Sequence, residues 1–310
     1  MILTVTLNAA LDVTYGVDSL RPNTSHRVGT THRRAGGKGI NVARVLAALG
    51  HDATVTGLVG GPTGALLRED LRAAGLRDAL VPVSGDSRQT VTVVSHEDGD
   101  ATVFNESGPR VTAQEWRAFT DRFASLVRDC TVVAFCGSLP PGLPSDAYAH
   151  LIRVAAGAGA VTVLDTSGSA LLDALGAGPD VVKPNTAELA AATGHEDVPA
   201  AVTRLRALGA RAVVASAGPE GLHAVTPDGS WRAAPPERLT GNPTGAGDAC
   251  VAALAAGLAT GRRWPDILRE AVALSAAAVP CPLAGDVDTG VHQLIRTTVT
   301  VEDVHAPQPH

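Results

Sequence analysis

The chain has 310 residues, of which 45% are hydrophobic and 18% are charged, and its formal net charge is −6. This length allows one large domain or two ordinary ones with a full hydrophobic core. The acidic balance disfavours general nucleic-acid binding, which depends on neutralising phosphates. The longest apolar run, 249–259, is about half as long as a membrane span requires. We therefore expect a globular protein that binds neither nucleic acid nor membrane.

Cysteine usage and the N-terminal stretch favour a cytoplasmic location. Cys130, Cys136, Cys250 and Cys281 lack the spacing typical of metal sites, so we expect reduced, buried thiols. The stretch MILTVTLNAALD has no basic segment and reaches Asp12 early, unlike a signal peptide.

The first quarter of the chain alternates between strand-like and helical patterns. The β-rich run 2–8 predicts the first core strand. The run 39–50 follows a glycine cluster, has helical periodicity and ends at Gly50, which predicts a helix. A strand-like run, 52–60, and a helical run, 63–75, come next.

Two non-helical inserts, at about 12–34 and 86–108, interrupt this alternation. The first is expected to hold strands. In the second, the runs 90–95 and 101–108 flank the turn HEDGD, which predicts a hairpin.

From residue 131 onward the alternation is regular. Apolar strands joined by short crossover helices indicate an α/β fold, with a mostly parallel sheet covered by helices on both faces. We expect residues 305–310 to form a C-terminal tail. The predicted strands are 131–137, 161–165, 181–185 and 211–218, and the predicted helices are 147–159, 170–178, 186–194 and 200–210.

Ligands of open α/β sheets bind beyond the carboxyl ends of the strands. Small, polar or glycine-rich segments follow most of the predicted strands, namely NAALD, GSLPPG, DTSG, KPNTAE and SAGPEG. We expect these segments to form the rim of one cleft.

The stretch TGNPTGAGDAC, 240–250, places two glycines and an aspartate where an apolar helix begins. A helix N-terminus carries partial positive charge and free amide groups, and glycines let an anion approach them closely. These features favour a cradle for a phosphoryl group. Asp248 would repel phosphate, which makes sense if it takes a proton from an incoming hydroxyl. From this stretch alone, Asp248 as a simple helix cap remains the alternative.

Four motifs occur together and in order: AGGKGINVARVLAALG, GSLPPG, KPNTAEL and GNPTGAGDA. Through them the chain resembles the ribokinase-like (PfkB) sugar kinases over essentially residues 1–304, with most similarity to 1-phosphofructokinase and tagatose-6-phosphate kinase. The resemblance implies one α/β domain with a small β-sheet lid formed by the two inserts. It also implies ligands between lid and sheet, and a homodimer that pairs through the lid.

The resemblance assigns the chemistry to the start of the late helix. Asp248 would be the catalytic base that accepts the proton of the attacking hydroxyl. The backbone amides of Gly245, Ala246 and Gly247 would stabilise the charge on the phosphoryl group in transfer.

On the sugar side, the resemblance implies that Asp12 binds hydroxyl groups. Gly36 and Gly37 would let the sugar approach the backbone, and Lys38 and Asn41 would reach its polar groups. The alternative for the glycines is an ordinary turn before a helix.

A sugar that already carries phosphate needs cationic hydrogen-bond donors. Arg88 matches the phosphate-binding arginine of the phosphosugar kinases, and Lys38 and Ser138 fall where that group is also bound. Arg27 is a further candidate that would reach across a dimer. For both arginines the alternative is a solvated surface position.

On the nucleotide side, the resemblance places Lys183 and Asn185 near the phosphates of ATP and a Mg²⁺ ion. Glu188 would hold Mg²⁺ through water, since this ion keeps much of its hydration. The predicted nucleotide loop contains Ser216, Gly218 and Gly221.

Three positions depart from the family pattern. Ala9 stands where proline is common, and Cys136 replaces a more usual serine. The largest departure is the segment 278–290, where Pro280 and Pro282 imply a reshaped loop near the adenine site.

The sequence favours an ATP-dependent kinase for a ketohexose phosphate, first of all one that converts fructose 1-phosphate to fructose 1,6-bisphosphate. Tagatose 6-phosphate and fructose 6-phosphate remain open, because all three need one phosphate clamp. A neutral sugar would leave Lys38 and Arg88 idle. A nicotinamide-dependent oxidoreductase is disfavoured, since no G-x-G-x-x-G follows the first strand. A non-catalytic sugar-phosphate-binding protein is the more distant alternative.

Overall fold

The computed structural model describes residues 1–97 and 100–304. The predicted tail, 305–310, and part of the predicted HEDGD turn lie outside the described residues. The strands are β1 (Ile2–Thr6), β2 (Ala10–Val17), β3 (Thr30–Gly36), β4 (Ala53–Gly60), β5 (Arg77–Asp78), β6 (Val81–Val83), β7 (Arg88–Ser95), β8 (Ala101–Asn105), β9 (Val132–Cys136), β10 (Val161–Asp165), β11 (Val181–Val182), β12 (Ala212–Ser216), β13 (Leu222–Thr226), β14 (Gly229–Ala234) and β15 (Thr300–Asp303). The α-helices are α1 (Lys38–Ala48), α2 (Gly61–Ala73), α3 (Ala113–Leu126), α4 (Ala147–Gly157), α5 (Gly168–Leu175), α6 (Thr186–Thr193), α7 (Val198–Ala207), α8 (Ala246–Ala259), α9 (Trp264–Ala278) and α10 (Thr289–Thr298).

A large, mostly parallel sheet forms the centre of the molecule. Its strand order is β15-β14-β13-β12-β11-β10-β9-β1-β4-β5, with β6 also pairing with β4. The strands from β4 across β1 to β12 run parallel, whereas β13, β14 and β15 add an antiparallel edge. The predicted α/β fold is therefore confirmed.

Strand β1 explains why the sheet is covered on both faces. All five of its residues are buried, and successive side chains point to opposite faces. Ile2 packs into the core cluster that contains residues of α1, α8 and α9. Leu3 and Val5 pack into the second cluster, with residues of α3, α4, α5 and α7. The β-rich run 2–8 was predicted to form the first core strand, and β1 occupies Ile2–Thr6 of it, with Thr4 and Thr6 buried among the apolar residues.

Helix α3 was not among the predicted elements, although its start carries a recognisable signal. The Thr112 hydroxyl accepts from the Glu115 amide, and the Glu115 carboxylate accepts from the Thr112 amide at 2.7 Å. This capping box begins an amphipathic helix whose Phe119 and Phe123 are fully buried.

The two predicted inserts form a separate sheet with strand order β3-β2-β7-β8. Strands β7 and β8 pair antiparallel as the predicted hairpin, and β2 joins them by a parallel pairing with β7. Strand β2 begins at Ala10, so Asp12 lies within a strand and not in the loop after β1.

None of the described helices is long and apolar enough to cross a membrane. The four cysteines are free, and Cys130, Cys136 and Cys250 are buried as predicted. Cys281 is only partly buried, because it lies in the turn that follows α9.

Candidate active site

A cleft of about 910 Å³ opens between the small sheet and the carboxyl ends of the central parallel strands. The structure brings nearly all of the predicted site residues to its walls; Gly36 and Arg27 are the exceptions. The predicted residues that line it are Asp12, Gly37, Lys38, Asn41, Arg88, Ser138, Lys183, Asn185, Glu188, Ser216, Gly218, Gly221, Gly245, Ala246, Gly247 and Asp248.

The start of α8 forms one wall of the cleft. Gly245 is the residue before the helix and has a φ of 94°, a conformation that favours glycine. A Cβ atom at Gly245 would lie 2.9 Å from the Cα atom of Ala284. The Asp248 side chain caps none of the described amides at this helix start. It lines the cleft and accepts a hydrogen bond from Asn41 Nδ2 at 2.8 Å.

The environment of Asp248 suits a group that exchanges protons near neutral pH. Burial raises the pKa of this carboxyl to about 7, and the nearby carboxylate of Asp165 adds to the rise. The hydrogen bond from Asn41 and the ammonium groups of Lys38 and Lys183 act in the opposite direction. A base with a pKa near the working pH combines a useful ionised fraction with a strong pull on the proton.

Asp165 organises the cations beside this base. It ends β10, is 1% exposed, and its Oδ1 atom lies 3.1 Å from Lys38 Nζ and 3.5 Å from Lys183 Nζ. Burial alone would lower the pKa of both lysines, but Asp165 and other nearby carboxylates raise it above its ordinary value. Both lysines are therefore held as charged ammonium groups. Sequence reasoning placed the segment DTSG on the rim but gave its aspartate no role.

The predicted nucleotide side begins at α6, which starts with a second capping box. Asn185 Oδ1 accepts from the Glu188 amide at 2.8 Å, and Glu188 Oε2 accepts from the Asn185 amide at 2.9 Å. The remaining carboxylate oxygen, Oε1, lies 4.0 Å from Lys38 Nζ. The loop after β12 contains the predicted Gly218 and Gly221, both at positive φ.

Asp12 lies at the opposite end of the cleft, on the small sheet. Burial raises the pKa of its carboxyl to about 6, against the opposing effect of Arg88, a hydrogen bond to Thr90, and Arg34. A Cβ atom at Gly36 would lie 1.9 Å from Asp12 Oδ2. Gly36 thus makes room for the Asp12 side chain. It does not line the cleft, so its predicted role of letting the sugar approach the backbone is not supported.

Arg88 is partly buried beside Asp12. Its guanidinium donates to Asn8 O at 3.1 Å, to Thr90 Oγ1 at 3.2 Å and to Asn105 Oδ1 at 3.4 Å. These three acceptors are uncharged and orient the guanidinium. Burial lowers the pKa of Arg88, while the nearby carboxylates of Asp12 and Glu106 raise it. The predicted Ser138 accepts from Asn8 Nδ2 at 3.1 Å, next to this group.

Arg27 lies outside the cleft of its own chain. It is exposed in the segment that leads into β3. Its predicted role across a dimer therefore stays a prediction. Several lining residues had been given no role of their own: Asn8 and Asp165 lie in the predicted rim segments NAALD and DTSG, whereas Thr90, Asn105 and Arg238 lie outside the predicted rim segments.

Taken together, the walls of the cleft supply a buried carboxyl group, the amides of Gly245 and Gly247 at a helix start, and cations at both ends. The Ala246 amide is already occupied, because it donates to Pro243 O at 3.1 Å. Among the described residues, no cluster of three or more histidine, cysteine, aspartate or glutamate side chains could hold a metal ion alone. A metal here would depend on oxygen atoms from bound phosphates and water.

Comparison with known proteins identifies relatives over nearly the whole chain. Residues 4–289 match the pfkB family of carbohydrate kinases. Phosphofructokinase-2 from Escherichia coli, in complex with fructose-6-phosphate, has 30% identity and a TM-score of 0.87, with 96% of this chain and 98% of that one covered. A Thermotoga maritima protein named as a possible 1-phosphofructokinase has 27% identity and a TM-score of 0.89, covering 98% and 100%. Arabidopsis thaliana ribokinase, complexed with ribose and ATP, shares the fold at 21% identity and a TM-score of 0.78, covering 95% and 98%.

Proposed function

Because this chain belongs to the pfkB family and is an ATP-dependent sugar kinase of the phosphofructokinase type, we propose that its acceptor is a ketohexose phosphate. The first choice is fructose 1-phosphate, phosphorylated on its 6-hydroxyl to give fructose 1,6-bisphosphate. Tagatose 6-phosphate and fructose 6-phosphate carry the same chemical groups and are the alternatives. The Escherichia coli relative that binds fructose-6-phosphate is the observation that keeps the last of these in view.

The position of Arg88 is the observation that carries this proposal. Its guanidinium is oriented by uncharged acceptors beside Asp12, at the end of the cleft away from the nucleotide loop. Asp12 can accept hydrogen bonds from sugar hydroxyls, while Arg88 can donate to a phosphate with its charge available. A phosphate would give this partly buried cation a charge-assisted hydrogen bond that a neutral sugar could not supply.

Within the proposed mechanism, Asp248 accepts the proton as the acceptor hydroxyl attacks the γ-phosphorus of ATP. Asn41 holds the carboxylate through its 2.8 Å hydrogen bond, so the oxygen that receives the proton stays in place. The bond from the γ-phosphorus to the bridging oxygen of ADP breaks as the new P–O bond forms. The amides of Gly245 and Gly247 stabilise the charge on the phosphoryl oxygens, and the small sheet excludes water as a lid. The predicted contribution of Ala246 would require its amide to leave Pro243 O, to which it donates at 3.1 Å.

Magnesium is the metal we propose, and the oxygen atoms present fit it. Glu188 lines the cleft, and Asp165 Oδ2 is buried with no hydrogen-bond partner among the described residues. Mg²⁺ takes oxygen ligands and keeps several waters, so one or two carboxylates suffice when phosphates supply the rest. When bound, it would neutralise charge on the β- and γ-phosphates. Lys183, Asn185, Ser216, Gly218 and Gly221 would line the nucleotide itself.

The substrate proposal is tested by ADP release with fructose 1-phosphate, tagatose 6-phosphate, fructose 6-phosphate and unphosphorylated fructose. Phosphorus NMR of the product identifies the hydroxyl that was phosphorylated. A kcat/KM at least about tenfold higher for fructose 1-phosphate supports the first choice. Turnover of unphosphorylated fructose alone contradicts the phosphate clamp. Binding of a sugar phosphate without ADP release would instead make the chain a sensor.

We also propose that the small sheet, built from the inserts at about 12–34 and 86–108, pairs with that of a second copy. Strand β8 is exposed along its whole length, with Val103 47% and Phe104 58% exposed. Sedimentation of the chain and of Phe104→Glu tests this: the wild type should be a dimer and the variant a monomer. Leu294→Glu, at a side chain 61% exposed on α10, is the matched control and should stay dimeric. A dimer would give Arg27 a partner cleft to reach.

A further inference from the structure

The segment between α9 and α10, residues 279–288, is the one that departs most from the family pattern. It is tied to the loop before α8, because the Asn242 amide donates to Val279 O at 2.8 Å and its side chain donates to Pro282 O at 3.3 Å. The segment 279–288 therefore lies directly beside the loop that leads to Gly245 and the start of α8.

The middle of this segment rests against two parts of the proposed machinery. Ala284 packs on Gly245, so closely that a Cβ atom there would lie 2.9 Å from Ala284 Cα. Gly285, at a φ of 87°, packs on α1, where an added Cβ would lie 3.2 Å from Asn41 Cα. Asn41 is the residue that holds Asp248. Residues 284 and 285 of this turn therefore contact both Gly245, at the start of α8, and Asn41, which hydrogen-bonds to Asp248.

An ion pair fixes this turn to the small sheet. Arg34 Nη1 donates to Asp286 Oδ2 at 2.8 Å, and Arg34 Nη2 donates to Asp286 Oδ1 at 2.6 Å. Arg34 is 17% exposed on β3, where it is the register partner of Asp12. A bidentate arginine–carboxylate pair specifies orientation as well as distance. The nearby Arg44 pairs with Asp70, so it does not compete for Asp286.

We propose that Arg34 and Asp286 are positioning residues, whose ion pair clamps the 284–286 turn against Gly245 and Asn41. The pair thereby fixes the position of Asn41 relative to the start of α8, and with it the orientation of the Asp248 carboxylate that Asn41 holds. It also joins that geometry to the strand beside Asp12. This inference rests on the proposed function of the same cleft. Since a misplacement of about 1 Å can cost on the order of 10²-fold in rate, a loosened turn should act on catalysis.

The test compares Asp286→Ala, Arg34→Ala, the double variant and a matched control, Arg33→Ala. Arg33 is the exposed neighbour on the same strand. We expect each single loss to lower kcat about 10- to 100-fold, with KM for ATP and sugar phosphate changed less than about threefold. The double variant should be no worse than either single, because one contact is lost in all three. Arg33→Ala should retain kcat within about twofold.

The proposal is overturned if Asp286→Ala keeps wild-type kcat, if the two losses add in the double variant, or if only KM changes. Thermal unfolding is recorded for every variant, and Asp286→Asn replaces any Asp286→Ala chain that does not fold, under the same criteria. Hydrogen exchange provides a readout that needs no substrate. Peptides covering 240–250 and 279–288 should exchange faster in Asp286→Ala but not in Arg33→Ala. If the wild type turns over no sugar phosphate, the proposed function is wrong. Hydrogen exchange still tests whether the Arg34–Asp286 pair holds the 284–286 turn in place.

Discussion

The two ends of the cleft each hold a buried carboxyl group whose pKa is raised, and they differ in what surrounds it. Burial raises the pKa of Asp248 to about 7 and that of Asp12 to about 6. Asp248 lies on a helix packed inside the main core, beside Asn41 and two ammonium groups. Asp12 lies on a four-stranded sheet with an exposed edge, beside guanidinium groups.

We propose that this difference separates chemistry from recognition. Donors at the Asp248 end lie on elements of the central domain and would act on charge that develops during transfer. Donors at the Asp12 end belong to the small sheet and would bind the sugar phosphate. Changes at the first end should therefore lower kcat, and changes at the second end should raise KM. The following experiments test whether effects on kcat and effects on KM separate in this way.

The largest effect is expected from Asp248→Asn. The amide has nearly the same shape but cannot accept the hydroxyl proton, so kcat should fall by about 10²- to 10⁴-fold with little change in KM for the sugar phosphate. Steady-state ADP release measures both constants. Asp197→Asn, at the cap of α7, is the matched control and should leave kcat unchanged. Full turnover by Asp248→Asn would show that the base lies elsewhere.

The second experiment addresses the other end through Arg88→Ala. Loss of charge-assisted hydrogen bonds worth about 1.5–3 kcal/mol should raise KM for the sugar phosphate by about 10- to 100-fold. KM for ATP should stay nearly constant. Arg88→Lys keeps the positive charge but loses the planar guanidinium. Its KM for the sugar phosphate should therefore lie between those of the wild type and Arg88→Ala. An unchanged KM would place the phosphate clamp at another cation.

The pH dependence compares the two carboxyl groups directly. Asp248 must be ionised to act as a base, and the pKa of its carboxyl is raised to about 7. Below that pH, kcat/KM should fall about tenfold per pH unit. Below pH 6, protonation of Asp12 should steepen the fall. Asp12→Asn should remove only this steeper part. A flat profile down to pH 5 would contradict both assignments.

The order of motifs made most of the site predictable. GSLPPG and KPNTAEL follow strands that the apolar pattern also predicts, and AGGKGIN and GNPTGAGDA open the helices α1 and α8. Asp248, Lys183 and Lys38 all reach the same cleft. Asp165 was missed as a functional residue because its importance comes from two lysines distant in sequence, at 3.1 and 3.5 Å. Only the folded chain brings those charges together.

The later part of the fold shows a similar limit. Strands β13, β14 and β15 form an antiparallel edge whose last member comes from the end of the chain. Pairing between segments about 70 residues apart leaves no local pattern in either one. The Arg34–Asp286 pair spans 252 positions and was unpredictable for the same reason.

The smallest effect compares two capping boxes, one remote from the cleft and one on its wall. Thr112→Ala at α3 and Asn185→Ala at α6 should each lower the free energy of unfolding by about 1 kcal/mol, since each removes one capping acceptor. Only Asn185→Ala should also raise KM for ATP, because its box holds Glu188 at the nucleotide side. Thermal unfolding and ADP release separate the two effects. An equal KM for ATP in both variants would mean that the capping box of α6 has only a structural role. The functional residues would then be limited to α8 and the elements that pack on it.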